Sequence, residues 1–181
     1  MSEIFTIGHS TRPADELVSI LKAHGITRLI DIRTVPKSRT NPQFNQETLR
    51  QTLAAAGVVY EHMAGLGGLR RPRKDSVNMG WENASFRGYA DYMQTPEFTE
   101  HLCELTRRTA VDKVAIMCAE AVPWRCHRSL VADALAARGV QVYHIMTQTQ
   151  AKAHTLTRFA RIKGSSVTYP AGPETTRDST P

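Results

Sequence analysis

The chain contains no run of about 20 apolar residues, so no segment is predicted to span a membrane. Its opening, Met1-Ser2-Glu3-Ile4-Phe5-Thr6, lacks a basic stretch followed by an apolar one, and no signal peptide is expected. Cysteine is scarce. Cys103, Cys118 and Cys126 are an odd three in 181 residues, which argues against a disulfide scaffold and for free thiols in a reducing, cytoplasmic setting. Neither Cys-x-x-Cys nor His-x-x-x-His occurs, and no internal repeat is found. Acidic residues are the minority, 17 against 23 Lys and Arg. The net charge of +6 points to an anionic partner without saying which.

What is present suits one domain of ordinary composition. A chain of this length can bury roughly 70% of its unfolded surface and needs no staple to fold. Short apolar runs alternate with helix-like patterns over residues 3–146, which predicts a single α/β domain over 1–146. Its mostly parallel sheet should have five strands, with helices on both faces. The strands are read at Ile4–Ile7, Arg28–Arg33, Val58–His62, Val111–Met117 and Val140–Met146. Pro13, Asn45 and Thr95 read as helix starts, with Phe44 placed to staple onto Leu49. Thr147 is expected to cap a basic C-terminal helix over 147–163, carrying Lys152, Arg158, Arg161 and Lys163. The Gly, Ser, Thr and Pro content of 164–181 reads as a disordered tail.

Ligands of open α/β sheets bind at the carboxyl ends of the strands. Charge gathers in the loops expected there. Residues 33–45 carry +3, residues 64–80 carry +3 and residues 118–128 carry +1, together more than the whole-chain +6. Such a cluster would focus an anion at one edge, although a solvated basic rim explains it too.

The segment from Met117 to Ser129 is densest in reactive types. Cys118, at a strand end and facing a helix N-terminus, Arg125 and Arg128, should lose its proton easily. Burial as a small apolar residue is the alternative. Glu120 opposes the thiolate and makes more sense as a general acid/base or a hydrogen-bond acceptor. His9, in Gly8-His9-Ser10-Thr11, stands directly after the first strand as a second acid/base candidate. Arg33, Arg125, Arg128, Ser10 and Thr11 are the anion-binding candidates, with Asp31 read as structural. Gly65-Leu66-Gly67-Gly68 is no dinucleotide fingerprint, because Arg70 and Pro72 follow where a helix should start. That segment reads as a mobile lid whose basic tip, Arg70, Arg71, Arg73 and Lys74, could contact nucleic acid. Arg87 and Tyr89 could stack a base or pack into the core. No cofactor is favoured. The alternative is a divalent metal on Cys118, Cys126 and His127, with His9 as a further ligand. The adjacency of Cys126 and His127 argues against it, since neighbours on a helix point apart.

Several motifs in order resemble one family. Thr6-Ile7-Gly8-His9-Ser10-Thr11, Asp31-Ile32-Arg33, Asn41-Pro42-Gln43-Phe44-Asn45, Phe86-Arg87-Gly88-Tyr89, Met117-Cys118-Ala119-Glu120 and Cys126-His127-Arg128-Ser129 are similar to the prokaryotic domain of unknown function 488. The resemblance runs from about residue 4 to 146. It implies a compact α/β domain and carries no activity with it. A fainter likeness is to rhodaneses and cysteine phosphatases. The six residues between Cys118 and Arg125 make a longer loop than the phosphatases have. It contains Glu120, Pro123 and Trp124 and no glycine, so its backbone cannot wrap an anion closely.

The leading expectation is an enzyme that binds a phosphate-bearing small molecule or nucleic acid at the carboxyl edge of the sheet. Cys118, Glu120 and His9 would do the chemistry. The alternatives are a nucleic-acid-binding module without chemistry and a metal-dependent hydrolase built on Cys118, Cys126 and His127. No membrane partner is expected, and the sequence leaves the oligomeric state open.

Overall fold

The apolar runs become strands, and the central ones are buried on both sides. In the computed structural model, which describes residues 2–172, β1 (Glu3–Gly8), β2 (Arg28–Asp31), β3 (Val59–His62), β4 (Val114–Cys118) and β5 (Gln141–Ile145) are all parallel. The sheet order is β3-β2-β4-β1-β5, with β6 (Ala151–Ala153) added beyond β5, so β1 and β4 lie side by side at its centre. Period-two alternation sorts their side chains between two cores. Phe5, Ile7, Ala115 and Met117 face one core with α1 (Ala14–Ala23) and α2 (Gln46–Ala55). Ile4, Val114, Ile116 and Cys118 face the other, with α3 (Ala84–Tyr92), α4 (Pro96–Arg108) and α5 (Arg128–Ala136). The expected mostly parallel sheet with helices on both faces is what forms. Among the described residues no helix is long and apolar enough to cross a membrane.

The helix starts follow their side chains. Thr95 Oγ1 accepts from Phe98 N at 3.3 Å, and Asn83 Oδ1 accepts from Ser85 N at 2.8 Å. Asn45 occupies the N-cap position of α2, but its Oδ1 accepts from Ser38 N at 2.7 Å and ties down the preceding loop instead. Phe44 and Leu49 are both fully buried in the α1–α2 core, as a staple requires.

The C-terminal part corrects the sequence reading. Residues 147–163 form no helix. The Thr147 hydroxyl accepts from Thr149 N and Gln150 N, which reverses the chain into β6 (Ala151–Ala153). This sixth strand runs antiparallel to β5. The segment Thr147-Gln148-Thr149-Gln150-Ala151-Lys152-Ala153 alternates small or β-branched with polar residues, a period of two rather than 3.6. A hairpin of β7 (Arg161–Lys163) and β8 (Ser166–Thr168) follows. Gly164, at φ 62°, supplies the first position of its two-residue turn. Of the tail expected to be disordered over 164–181, residues 164–172 are ordered, with Tyr169 fully buried. Residues 173–181 lie outside the described part.

The segment predicted as a mobile lid is anchored. Buried Asp91 accepts from Arg73 N at 2.8 Å, Ser76 Oγ and Asn78 Nδ2 at 2.8 Å. Asn78 Oδ1 in turn accepts from Tyr169 N at 2.9 Å, and Gly80 N donates to Tyr169 O at 2.8 Å.

Candidate functional site

The central strands deliver their ends to one place. Beyond β1, His9 N donates to Cys118 O and Ser10 N to Ala119 O, both at 2.9 Å. The chain then turns sharply. Ser10 sits at φ 51°, in the left-handed region that non-glycine residues seldom occupy. Gly8 is there because nothing larger fits. A Cβ at that position would collide with the Glu120 carbonyl and stand 2.7 Å from Arg128 Nη1.

Asp31, Arg33 and His9 form one buried set. Arg33 Nε and Nη2 grip both oxygens of Asp31 at 2.9 and 2.6 Å, and Nη2 also donates to Phe44 O at 2.7 Å. Tyr60 Oη donates to Asp31 Oδ2 at 2.7 Å. The fork of Arg33 is therefore taken by the fold. Only Nη1 reaches onward, to His9 Nε2 at 3.3 Å. His9 Nδ1 lies 2.7 Å from Ser10 O and must carry the proton, so Nε2 presents its lone pair. Burial, with the charge of Arg33 behind it, lowers the His9 pKa and keeps the ring neutral. Arg33, expected to bind an anion, instead orients His9.

Arg128 is the unusual member. Its side chain is buried at the start of α5, and no carboxylate stands within 4.0 Å of it among the described residues. Nη1 donates to Cys118 Sγ at 2.8 Å and to Glu120 O, Nη2 to Ala121 O at 2.9 Å, and Nε has no partner. Burial pulls its pKa down to about 10, which still leaves it charged at neutral pH. A buried guanidinium without a carboxylate is costly. The side-chain group it meets is the sulfur of Cys118. Arg128 was expected to meet a ligand directly. It meets Cys118.

Cys118 was expected as a free thiol. In the structure its sulfur is paired with that of Cys126, and Cys103 remains free. Cys126 Sγ also lies 3.6 Å from His127 Nδ1 and 3.5 Å from Arg128 N. His127 Nε2 faces Ile32 O at 3.1 Å, which leaves Nδ1 as the acceptor. Burial lowers the His127 pKa to about 4, so the ring is neutral. Cys126 and His127 do not point apart as helical neighbours would, because Cys126 precedes the helix in extended conformation, φ −133° and ψ 146°. Although Cys118, Cys126 and His127 come together, no group of three or more His, Cys, Asp or Glu stands so as to hold a metal ion among the described residues.

These groups floor a cavity of about 720 Å³. His9, Cys118, Cys126 and His127 line its depth, while exposed Lys37, Arg125 and Glu120 and the hydroxyl residues Ser10 and Thr11 stand around it. Val35 and Leu69 give the cavity an apolar wall and are 57% and 78% exposed. Lys37 carried no separate weight in the sequence, where it was one charge among many.

The proposed nucleic-acid contacts do not join this cavity. Arg70 donates to the carbonyls of Gly65 and Gly67 and lies 3.5 Å over the Tyr92 ring, which fixes it locally. Arg73 pairs with Asp75 on the surface. Arg71 and Lys74 are exposed. Arg87 donates to Trp81 O, and Tyr89, fully buried, donates to Leu66 O at 2.8 Å. Tyr89 is thus a core residue and offers no platform to a base.

The family described as domain of unknown function DUF488 matches residues 13–135. The chain belongs to that family. The match spans most of the α/β core and reaches from the start of α1 to the end of α5, so it includes Arg33, Cys118, Glu120, Cys126 and Arg128. No curated protein and no solved structure matches the chain.

Proposed function

We propose that this member of the DUF488 family is an enzyme that takes a phosphate-bearing substrate, a nucleotide or nucleic acid, at the carboxyl edge of its parallel sheet, with Cys118 as nucleophile. One observation carries the reading. Buried Arg128, without a carboxylate, holds Nη1 2.8 Å from Cys118 Sγ on the floor of a cavity whose mouth carries Lys37 and Arg125. Arg128 stabilises the reduced Cys118 as thiolate. The phosphate serves as a handle. It is met at the mouth by Lys37, Arg125, Ser10 and Thr11, because the glycine-free loop after Cys118 offers no backbone cradle. Val35 and Leu69 receive the apolar body of the substrate. Glu120, whose carboxylate binds no side chain among the described residues, is free to move a proton. Neutral His9, whose Nε2 accepts from Arg33 Nη1 at 3.3 Å, would take a proton there by releasing that contact.

The test uses reduced protein and three probes: inorganic phosphate, adenosine monophosphate and a short single-stranded DNA. Binding is followed by calorimetry, and Cys118 accessibility by iodoacetamide labelling with peptide mapping. Adenosine monophosphate should bind and shield Cys118. Lys37→Ala with Arg125→Ala should weaken it by roughly tenfold or more, as expected for losing one or two charge-assisted contacts. If none of the probes binds or shields Cys118, the reading fails. Tight DNA binding that leaves Cys118 as reactive as before would favour a module without chemistry.

A further inference from the structure

Two cysteines with different surroundings meet at the floor of the cavity. Cys118 Sγ receives Arg128 Nη1 at 2.8 Å, and the guanidinium has no carboxylate to neutralise it. Cys126 Sγ faces neutral electron-rich His127 Nδ1 at 3.6 Å and a backbone N–H at 3.5 Å. The first environment favours a thiolate, the second a thiol that donates to an imidazole. Their sulfurs are paired in the structure, eight positions apart in the chain. Cys118 lines the cavity and is 2% exposed.

We propose that Cys118 and Cys126 form a peroxide-reactive pair, in which a hydroperoxide oxidises Cys118 and Cys126 captures the product as an intramolecular disulfide. The inference rests on the reading of Cys118 as a thiolate nucleophile. In the first step the Cys118 thiolate attacks the nearer peroxide oxygen. An S–O bond forms, the O–O bond breaks, and the departing alkoxide or hydroxide takes a proton from water. Sulfur loses two electrons and the peroxide gains them, leaving Cys118 as a sulfenic acid. In the second step the Cys126 sulfur attacks the Cys118 sulfur. The S–S bond forms, the S–O bond breaks, and hydroxide leaves with the Cys126 proton as water. A thiol reductant restores both thiols by exchange.

The pairing also protects the nucleophile. A sulfenic acid left in the cavity is open to further, irreversible oxidation, and a thiol in contact with it intercepts that step. The product blocks Cys118 reversibly. Any activity of the cavity that needs the thiolate then stops under peroxide and returns on reduction.

The full chain, reduced and freed of reductant, is treated with substoichiometric hydrogen peroxide at pH 7 and mapped by mass spectrometry after alkylation. With Arg128 Nη1 at its sulfur, Cys118 should react roughly tenfold faster than exposed Cys103. Wild type should yield a Cys118–Cys126 disulfide with no retained oxygen. Cys126→Ser should instead accumulate a Cys118 sulfenic acid that dimedone traps. Cys118→Ser should leave Cys126 alkylatable. Oxidation confined to Cys103, or equal Cys118 oxidation products in wild type and Cys126→Ser, would overturn the pair. Because wild-type mapping needs no variant, a folding defect in either mutant leaves the result readable. Adenosine monophosphate binding is scored separately, so loss of the redox pair and loss of the phosphate site give different outcomes.

Discussion

Helix α5 buries two opposite charges, Arg128 and Asp133, and treats them differently. Asp133 is fully buried and fully answered. His154 Nε2 donates to Oδ1 at 2.8 Å, Thr157 N to Oδ1 at 3.0 Å and Tyr169 Oη to Oδ2 at 2.7 Å. Behind it a chain continues from His154 Nδ1 to His144 Nε2 at 2.9 Å and from His144 Nδ1 to Thr6 Oγ1 at 2.7 Å. Arg128 has two carbonyls, a sulfur and an unpartnered Nε. A carboxylate with both oxygens hydrogen-bonded holds structure together, here the C-terminal segment against α5. A guanidinium left short of an anion favours whatever anion forms beside it, and the side-chain atom beside this one is the Cys118 sulfur. Under the proposed function, that difference in satisfaction separates a structural charge from a functional one on the same helix.

The sharpest way to break that comparison is to remove each charge in turn. Asp133→Ala strands three donors, of which Tyr169 Oη is buried, and a buried donor left unmade costs about 1–3 kcal/mol. A loss of about 3–5 kcal/mol is expected in urea unfolding, with the C-terminal segment released. Arg128→Met keeps much of the volume and removes an unneutralised charge, at the expense of two carbonyl partners. Its cost should stay under about 2 kcal/mol, while iodoacetamide labelling of Cys118 at pH 7 slows. Equal destabilisation by both variants, with Cys118 reactivity unchanged, would mean that Arg128 is as structural as Asp133.

Acid acts on both regions. His127 in the cavity and His144 in the Asp133 chain are each held neutral by burial, with pKa about 4. In the unfolded chain both would titrate near 6.5. Between those values the unfolded state binds more protons, so stability rises with pH there. It should be complete above about pH 6.5 and fall as pH drops toward 4, by on the order of 3 kcal/mol for each ring. His9, lowered in the same direction, adds to the fall. Urea midpoints from pH 7.5 down to 4.5 measure it. A His127→Asn variant should flatten the slope if the cavity ring contributes its share.

The sequence showed where the strands end, and therefore that His9, Arg33 and Cys118 converge. That much follows from apolar runs and from the position of ligands at parallel strand ends. It did not show which cations are consumed by the fold. Arg33 looked free beside Asp31, two positions away, because a bidentate grip depends on rotamers and on Phe44 O supplying a further acceptor. Asp133 went unnoticed in the middle of a helix because its partners His154 and Tyr169 lie 21 and 36 residues away. The C-terminal helix was inferred from basic residues and a cap, while the alternation of Thr, Gln, Ala and Lys already favoured strand. The sulfur pairing was not legible because an odd, sparse count of cysteines favours free thiols, and the rule that helical neighbours point apart does not hold at Cys126, two residues before α5 begins.

The smallest effect tests how local the cavity is. Arg71 and Lys74 are exposed and stand outside the cavity lining, whereas Lys37 and Arg125 stand within it. At physiological ionic strength surface charges are screened over about 8 Å, so a phosphate in the cavity should depend on the nearby pair alone. Arg71→Ala with Lys74→Ala is expected to leave adenosine monophosphate affinity unchanged within about twofold, as for distant, independent sites. The same double variant should also leave the salt dependence of binding unaltered, because that slope counts only charges in contact with phosphate. If it weakens binding as much as Lys37→Ala with Arg125→Ala does, the basic loops act together as one field. The partner would then be a long polyanion spread over the sheet edge, and the cavity would be one contact among several.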